Sequence, residues 1–407
     1  MTMPGLQELD PWLFYSEFRT GPGGDWALIP FARRYKPEPG KKSKERSDEP
    51  CFMCRDQWST LEGFLYYKGE ERETVHAKGF VVLDNKFPVV SKANITQNDI
   101  EARLGNLGLF YSRRPADGRH LVIGEPQHII DPFADAEETK IYYANLTWMY
   151  RTVLKSLRAE GYEWAGLGKN RNGMAQKKNG GAIEEVVLHA GASQPHPHSQ
   201  VIATSSFVPQ WVEWTYYVWH QRFDRLRIPL LGIQLPLYKK SRDIGKDLVT
   251  TALHGVMLRG CGECLESREN RYASPFKIAS DDIHASFKSP FGTMNPYQHE
   301  FRIVPYAHTS HFDDMTEEQA ASFAGTLQKT MVWLGQQYGD CGYNFELRQG
   351  PWNGRHASKA FHWSFRIYPA MPELKSLKQD GFMSHLLGAA ILPEPPEDVL
   401  LRNRRGT

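Results

Sequence analysis

The sequence predicts an α+β fold made of two similar halves, because one set of motifs occurs twice in the same order. A CxxC pair opens each half, at positions 51–54 and 261–264. Each pair is followed by a strand that ends in a proline and a histidine, a long amphipathic helix and a second strand with a histidine. A repeated strand, helix and strand unit predicts an antiparallel sheet with flanking helices. We therefore expect two domains, 1–205 and 206–407.

The elements of the first half follow from local patterns in chain order. Segment 36–50 is charged, Pro-rich and devoid of apolar residues, which predicts a loop. Apolar and β-branched runs at 79–90 and 119–128 predict strands closed by turn residues. Segment 136–160 repeats apolar residues at i, i+3, i+4 and i+7, with acidic residues early and basic residues late, which predicts a helix. Segment 184–191 predicts the strand that leads to a His-Pro run.

The second half repeats this order of elements. Segment 299–308 predicts a strand, segment 316–338 an amphipathic helix, and segment 361–369 a strand that carries a histidine. The polar and aromatic stretch 205–260 is expected to join the two halves.

The composition is that of an ordinary soluble protein. The chain has 407 residues, 41% of them hydrophobic and 24% charged, and contains no apolar run long enough to cross a bilayer. A net charge of +2 leaves no excess of basic residues for a nucleic acid backbone. The N-terminal residues lack the basic and apolar regions of a secretory signal. We therefore expect a cytoplasmic protein without a membrane or nucleic acid partner.

Four of the five cysteines lie in the two CxxC pairs, which favours metal binding over a disulfide framework. A redox role is disfavoured because neither pair lies in the Trp-containing strand-to-helix context of such centres. Structural zinc takes four protein donors, usually Cys and His. The repeat nominates two such sets: Cys51, Cys54, His128 and His196 in the first half, and Cys261, Cys264, His308 and His362 in the second. We expect two structural Zn²⁺ ions per chain; the alternative is that these cysteines are buried apolar side chains.

Outside these ligand sets, His76, His120, His254 and His356 are among the histidines without a counterpart in the repeat. We interpret them as surface or core residues, because an isolated imidazole is more often a structural side chain than a ligand.

The run "HAGASQPHPHSQ" at 189–200 suggests a catalytic imidazole, although a rigid surface turn and a metal-binding tract are simpler alternatives. If His196 binds zinc, His198 is the next residue on the same face of an extended chain. A neutral imidazole held rigidly is a good nucleophile near pH 7. Gln200 follows on that face and can donate its amide to a charged oxygen. The pattern thus predicts that His196 orients the segment, His198 attacks and Gln200 stabilises charge.

Over most of its length the chain resembles the galactose-1-phosphate uridylyltransferase branch of the histidine-triad superfamily. The motif "GASQPHPHSQ" is similar to the active-site signature of that branch, "CFMC" to its zinc pair, and "GEPQH" to the strand with the third ligand. The segment "EFRTGPGGDWALIPFARRYKP" resembles its phosphate-binding segment, and "FHWSFRIYP" resembles part of its duplicated domain. The paired zinc pattern, "NKFP" and "IVPYAHTSHF" resemble the ADP-glucose phosphorylase-like members more closely.

The resemblance implies two tandem histidine-triad-like domains and a ping-pong transfer of a nucleoside monophosphate. His198 would displace the leaving group of a nucleoside diphosphate sugar, and phosphate or a sugar 1-phosphate would then accept the nucleotide. The second half has Ser364 two residues after His362, which implies one active site per subunit. The resemblance also implies a homodimer. The substrate-binding residues that it suggests are Arg19, Arg33, Asn85, Asn170, Asn172 and Ser193.

Two segments depart from the pattern of these relatives. The stretch 170–191 is longer than the usual compact turn and contains Lys177 and Lys178, which suggests either room for a bulkier anionic acceptor or a solvated hairpin tip. In "GFMSHLLGA" the chain has Met383 and His385 where the relatives usually have an acidic residue and a Gly-rich turn. The identity of the acceptor is therefore left open.

Two further functions remain as alternatives to transfer from a sugar nucleotide. One is a phosphorylase or hydrolase of dinucleoside polyphosphates, in which phosphate or water resolves the same histidine adduct. Gln200 favours transfer, because hydrolytic relatives usually have a third histidine at that position. The other is a zinc-stabilised nucleotide-binding protein without turnover.

Overall fold

A computed structural model provides the structure of the chain for part of its length. The residues that it describes are 16–20, 26–30, 80–85, 88–91, 95–104, 112–125, 131–179, 182–188, 190–192, 196–213, 215, 276–288, 299–353, 361–370, 382–387 and 390–391.

These residues form an α+β structure. The strands are β1 (Ser16–Thr20), β2 (Trp26–Pro30), β3 (Val81–Asp84), β4 (Ser112–Pro115), β5 (Gly118–Gly124), β6 (Trp164–Arg171), β7 (Gly173–Asn179), β8 (Ala182–Leu188), β9 (His198–Thr204), β10 (Lys277–Ser280), β11 (His284–Lys288), β12 (Phe301–Pro305), β13 (Gly342–Arg348), β14 (Ser364–Ala370) and β15 (Ala390–Ile391). The helices are α1 (Gln97–Leu104), α2 (Glu137–Ala159), α3 (Glu317–Tyr338) and α4 (Phe382–Leu387), and residues 210–213 are helical as well.

The main sheet of the described residues is antiparallel and has the order β10-β11-β12-β14-β13-β6-β9-β5-β3. The order β3-β5-β9-β6 of the first half matches the order β11-β12-β14-β13 of the second half. The two sets meet where β6 pairs with β13. The repeat seen in the sequence is thus a repeat of sheet topology, and both halves belong to one continuous sheet.

Helices α2 and α3 cover one face of this sheet and form a common core with it. Helix α2 has Glu137 and Glu138 in its first turn and Arg158 in its last, which complements the helix dipole. Helix α3 begins with a capping box, in which Thr316 and Gln319 each bind the backbone N–H of the other. It ends at Tyr338 and is capped by Gly339, whose φ of 68° suits a residue without a side chain.

The opposite face of the sheet is partly covered by a second apolar cluster. Strand β1 contributes Phe18, β6 contributes Trp164, β9 contributes Ile202, and α4 contributes Leu386. A four-stranded sheet of order β15-β2-β1-β4 supplies part of this layer, and β7 and β8 form a separate two-stranded hairpin. On this face of the sheet, His198 and Gln200 of β9 lie beside the apolar Ile202 of the same strand.

The predicted helices are confirmed, and the prediction of an α+β fold with a large antiparallel sheet is confirmed as well. The strand predicted in segment 184–191 is confirmed as β8; it pairs with β7 in the hairpin, whereas β6 is the neighbour of β9 in the main sheet. Lys177 and Lys178 lie in β7. The division into tandem domains 1–205 and 206–407 stays a prediction. Within the described ranges, no helix has the length and apolar character needed to span a membrane.

Candidate functional site

His198 is the first residue of β9 and is buried, with 6% of its surface exposed. Its Nδ1 lies 2.9 Å from the backbone oxygen of His196. A carbonyl oxygen only accepts hydrogen bonds, so in the neutral ring Nδ1 carries the proton and Nε2 carries the lone pair. The ring therefore has a fixed orientation and tautomer, and the basic nitrogen is Nε2. These are the properties required of an imidazole nucleophile.

Side chains of β9 alternate between the two faces of the sheet, which places Gln200 on the face of His198. The intervening Ser199 points to the helical side, where its hydroxyl lies 2.7 Å from the hydroxyl of Tyr150 on α2. Gln200 pairs with Val122 of β5 on one side and with Gly168 of β6 on the other. The His-x-Gln spacing thus places the two side chains on one face, as the period of two predicted.

Gln200 belongs to a polar cluster with His120 of β5 and Asn85, which follows β3. The side-chain oxygen of Gln200 lies 2.9 Å from Nε2 of His120 and 3.5 Å from the amide nitrogen of Asn85. The Asn85 amide lies 3.1 Å from the same Nε2 of His120. His120 and Gln200 are both buried. The predicted nucleoside-side residue Asn85 is therefore adjacent to the predicted charge-stabilising residue Gln200.

Asn170 and Asn172 lie at the end of β6 and bind the turn that precedes the His-Pro run. The amide of Asn170 donates to the backbone oxygen of Gly191 at 3.3 Å. The side-chain oxygen of Asn172 accepts from the N–H groups of Ala190 and Ala192 at 2.9 and 3.3 Å. Gly191 has a φ of 82°. Both asparagines thus hold this turn, and their predicted contact with substrate stays a prediction.

The ring of His196 is oriented by the end of β5. Its Nε2 lies 2.7 Å from the backbone oxygen of Glu125, so Nε2 donates and Nδ1 carries the lone pair. Histidines that bind zinc usually donate their other ring N–H in this way. Since His196 also supplies the carbonyl that orients His198, the backbone of Glu125, the ring of His196 and the ring of His198 form one chain of contacts.

The side chain of Glu125 forms a buried ion pair below this chain of contacts. Lys169 Nζ lies 2.7 and 2.8 Å from the two carboxylate oxygens of Glu125 and donates to the Tyr142 hydroxyl at 2.8 Å. Tyr142 in turn donates to Glu125 at 2.7 Å. Burial lowers the pKa of Lys169, whereas the charge of Glu125 opposes that shift, and burial raises the pKa of Tyr142 well above its usual value. Tyr142 therefore keeps its proton for the bond to Glu125.

The second half repeats the arrangement of His196. His362 Nε2 lies 3.1 Å from the backbone oxygen of Pro305, so here too Nδ1 carries the lone pair. Pro305 precedes His308 by three residues, as Glu125 precedes His128. The rings of His308 and His362 are neighbours, with their centroids 5.2 Å apart. The structure thus brings together the two predicted histidine ligands of the second half.

The corresponding strand pairs have the same register, and this places Ser364 where the first half has His198. Ile123 pairs with Ser199 in the first half, and Ile303 pairs with Phe365 in the second. Ile123 lies two residues before Glu125, and Ile303 lies two residues before Pro305.

Several predicted site residues lie outside the described part of the chain: Cys51, Cys54, His128, Cys261, Cys264, Arg33 and Ser193. The backbone of Arg19 is described within β1, where it pairs with Arg113. Among the residues that the structure does describe, no three Cys, His, Asp or Glu side chains form a group that could hold a metal ion. The predicted zinc sites are untested for this reason, since each would need a cysteine pair from outside the described ranges.

Sequence reasoning missed His120, Glu125 and Lys169. His120 has no counterpart in the repeat, but strand alternation from Gly124 places it on the face that β9 presents with Gln200. Glu125 is the residue before Pro126 in the "GEPQH" motif, and Lys169 lies next to Asn170. A charged residue in an otherwise apolar or Gly-rich strand was the available signal, because such residues are rarely buried without a partner.

No protein-family model matches the chain. ADP-glucose phosphorylase of Arabidopsis thaliana is 25% identical to it over 123 residues, which are 30% of this chain and 33% of that protein. The alignment thus spans about a third of the length of this curated relative.

Among solved structures, that of a uridylyltransferase superposes with a TM-score of 0.53 and 20% identity, covering 95% of this chain and 96% of the other. A structure of ADP-glucose phosphorylase from Arabidopsis thaliana with bound ADP-glucose has a TM-score of 0.47 and 19% identity, covering 94% and 97%. The superposition on uridylyltransferase confirms the resemblance seen in the sequence motifs at the level of the fold.

Proposed function

We propose that the protein is a nucleotidylyltransferase that transfers a nucleoside monophosphate from a nucleoside diphosphate sugar to phosphate or a sugar 1-phosphate. The observation that carries the proposal is the contact between Nδ1 of His198 and the His196 carbonyl, which leaves the lone pair on Nε2. The uridylyltransferase fold supports it, and so does the local similarity to ADP-glucose phosphorylase.

The reaction that we propose has two displacements at phosphorus. In the first, the Nε2 lone pair of His198 forms a bond to the α-phosphorus, and the bond from that phosphorus to the bridging oxygen breaks. The leaving group is a sugar 1-phosphate, which takes the electron pair. In the second, an oxygen of phosphate or of a sugar 1-phosphate attacks the same phosphorus, and the electron pair of the P–N bond returns to Nε2. Division into two steps gives the first displacement a better nucleophile than a sugar phosphate oxygen.

The contact at Nδ1 also favours the intermediate of this reaction. Attachment of phosphorus to Nε2 places positive charge on the imidazole ring, and the proton stays on Nδ1. A carbonyl oxygen that accepts from a charged donor forms a stronger hydrogen bond than one that accepts from a neutral donor. The His196 carbonyl, at 2.9 Å, therefore stabilises the nucleotidyl-histidine more than the resting imidazole.

Charge on the phosphoryl oxygens requires fixed donors, and Gln200 is the one that the described site supplies beside His198. Its oxygen is turned to His120, so its amide N–H₂ is the end available to a phosphoryl oxygen. Asn85, on the other side of Gln200, is proposed to contact the nucleoside. The other substrate-binding residues that we propose are Arg19, Arg33, Asn170, Asn172 and Ser193.

Zinc is proposed as a structural component of both halves, held by Cys51, Cys54, His128 and His196 and by Cys261, Cys264, His308 and His362. The described histidines fit this role, because the Nε2 atoms of His196 and His362 both face a backbone carbonyl, which is the arrangement usual for the second ring nitrogen of a zinc-binding histidine. Bound zinc would fix the backbone on which His198 is carried. A homodimer with one active site per subunit and a cytoplasmic location complete the proposal.

The covalent intermediate can be tested by intact-protein mass spectrometry. We expect the purified protein, incubated with nucleoside diphosphate sugars that differ in base and sugar and without acceptor, to gain the mass of one nucleoside monophosphate with at least one donor. Addition of phosphate or a sugar 1-phosphate should remove the adduct. A protein that binds nucleotides but never changes in mass with any donor would contradict covalent transfer and favour a binding protein without turnover. Removal of the adduct by water alone would favour a hydrolase.

Metal content provides a separate test of the zinc proposal. Protein purified without chelators should contain about two zinc ions per chain. The matched variants Cys51→Ala and Cys261→Ala should each lose about one zinc, because each removes one thiolate from a different set of four ligands. Elemental analysis by inductively coupled plasma mass spectrometry measures this directly. Wild-type protein with a zinc content near zero would refute both ligand sets.

A further inference from the structure

We infer that His120 is a positioning residue that holds the side-chain amide of Gln200 in the orientation needed to donate to the transferred phosphoryl group. This inference rests on the proposed function, since it assigns a role in nucleotidyl transfer. Its basis is the polar cluster of His120, Gln200 and Asn85. In this assignment His120 itself makes no contact with the substrate.

The tautomer of His120 follows from its two nitrogens having different neighbours. The backbone N–H of Val89 donates to Nδ1 at 3.1 Å, and this requires a lone pair on Nδ1. The proton of the neutral ring is therefore on Nε2, which lies 2.9 Å from the side-chain oxygen of Gln200. His120 is 2% exposed, so water does not compete for this bond. The backbone of Val89 thus determines that His120 acts as a donor toward Gln200.

The direction of this hydrogen bond determines which end of the Gln200 amide faces each side. A glutamine amide has an oxygen that accepts and a nitrogen that donates, and the two ends have similar shapes. Because the His120 Nε2–H is a donor, the oxygen of Gln200 must face it, and the N–H₂ group is directed away from it. The reverse orientation would place two donors against each other at His120 and would present an oxygen to an anionic phosphoryl group. A flipped Gln200 would therefore repel the group that it is proposed to stabilise.

The same tautomer determines the orientation of Asn85, whose side-chain amide lies 3.1 Å from His120 Nε2 and 3.5 Å from the Gln200 oxygen. An N–H₂ group facing the Nε2 proton would place two donors against each other, so the oxygen of Asn85 faces His120. The Gln200 oxygen, 2.9 Å from Nε2, remains an acceptor of the His120 proton. Pairing of Val122 with Gln200 places His120 two residues away along β5, diagonal to Gln200 on the same face. The position of the imidazole is thus set by strand register, and not by a loop.

Two substitutions distinguish the role of Nδ1 of His120 from that of Nε2. In His120→Asn the side-chain oxygen takes the place of Nδ1 and still accepts from Val89, but the donor to Gln200 is lost. In His120→Gln the side-chain nitrogen takes the place of Nε2 and restores that donor. We expect His120→Asn to lower kcat for transfer roughly 10-fold or more with little change in KM for the donor, because the loss of a fixed donor to phosphoryl oxygens costs about 10²–10³ at most. His120→Gln should retain kcat within a few-fold of wild type.

A double-mutant cycle shows whether the effect passes through Gln200. In a Gln200→Ala background, His120→Asn should cause no further loss of kcat, because the group that it positions is already absent. Equal losses of kcat in the presence and absence of Gln200, or a normal rate for His120→Asn, would overturn the inference. These outcomes leave the proposed function intact as long as wild-type protein forms the nucleotidyl adduct, whereas absence of that adduct would end the proposed function itself.

A measurement on the wild-type protein keeps the inference testable if the variants at position 120 fold poorly. Nuclear magnetic resonance of protein with ¹⁵N-labelled histidine distinguishes the two neutral tautomers by their ring nitrogen shifts. We expect His120 to be the Nε2–H tautomer. Its ring signals can be assigned by their loss in His120→Gln. If that variant does not fold, they can be assigned in the wild-type protein from magnetisation transfer between the His120 ring and neighbouring protons. The Nδ1–H tautomer, or a ring protonated at both nitrogens at neutral pH, would overturn the inference.

Discussion

Replacement of His198 by alanine is expected to abolish the nucleotidyl adduct and to lower turnover by about 10⁴-fold or more, because the covalent path then has no nucleophile. The residual rate would come from binding alone, through Gln200 and the other proposed contacts. The measurement is the intact mass after incubation with the best donor, together with kcat in the presence of acceptor. The fold should survive, since a smaller side chain at the start of β9 leaves the strand pairing with β5 and β6 in place.

The internal repeat supplies a matched control for this substitution. Ser364 begins β14 and occupies the place in the second half that His198 has in the first. Ser364→Ala should therefore form the adduct and turn over at a rate close to that of the wild type. An adduct in His198→Ala would show that another residue is the nucleophile, and an equal loss of activity in both variants would assign the effect to the sheet and not to the imidazole.

The sequence predicted those parts of the fold that have a strong periodic signal. Helices α2 and α3 have long apolar stripes with charged ends, and their predicted limits are within one residue of the observed ones. Strands β6 and β13 were not predicted. They read "WAGLGKNR" and "GYNFELR", where glycine and buried charged residues interrupt the alternation that identifies a strand. The sheet could not be assembled correctly from sequence because these two strands join its halves.

The site was predictable to the extent that its residues are local to one motif. The His-Pro run and the spacing of two between His198 and Gln200 are visible in the sequence, and strand geometry then places both side chains on one face. The contacts that orient them cross between strands. His120 is 80 residues from Gln200, and Glu125 is 71 residues from His196. Their importance depends on register, which no single segment specifies.

The fixed tautomers of this site have a common origin in backbone groups. The His196 carbonyl orients His198, the Glu125 carbonyl orients His196, and the Val89 N–H orients His120. A backbone group has no side-chain rotamers, so it sets the direction of a hydrogen bond more strictly than a flexible side chain does. The precision of the proposed site therefore depends on how firmly the end of β5 is held, and Glu125 is the residue at that end.

The second large effect is expected for Lys169→Met, which should lower the free energy of unfolding by about 3–5 kcal/mol. Lys169 and Glu125 are 2% and 1% exposed. Lys169 Nζ donates three hydrogen bonds, two to the Glu125 carboxylate and one to the Tyr142 hydroxyl. Without Lys169 the Glu125 carboxylate would remain buried with its charge uncompensated, since Tyr142 supplies only one hydrogen bond. We expect a thermal midpoint about 4–6 °C lower, measured by calorimetry at a fixed scan rate.

Two further variants distinguish the loss of a charge partner from the loss of packing. Glu125→Gln combined with Lys169→Met leaves no buried charge and should recover much of the lost stability, since replacement of both members of a buried pair is often close to neutral. Tyr142→Phe keeps the ion pair and should cost only about 1–3 kcal/mol, the penalty for a lost hydrogen bond. A double variant no more stable than Lys169→Met would show that packing, and not charge, dominates. Because the backbone oxygen of Glu125 orients His196, Lys169→Met should also slow formation of the adduct at temperatures below its midpoint, whereas Tyr142→Phe should slow it less.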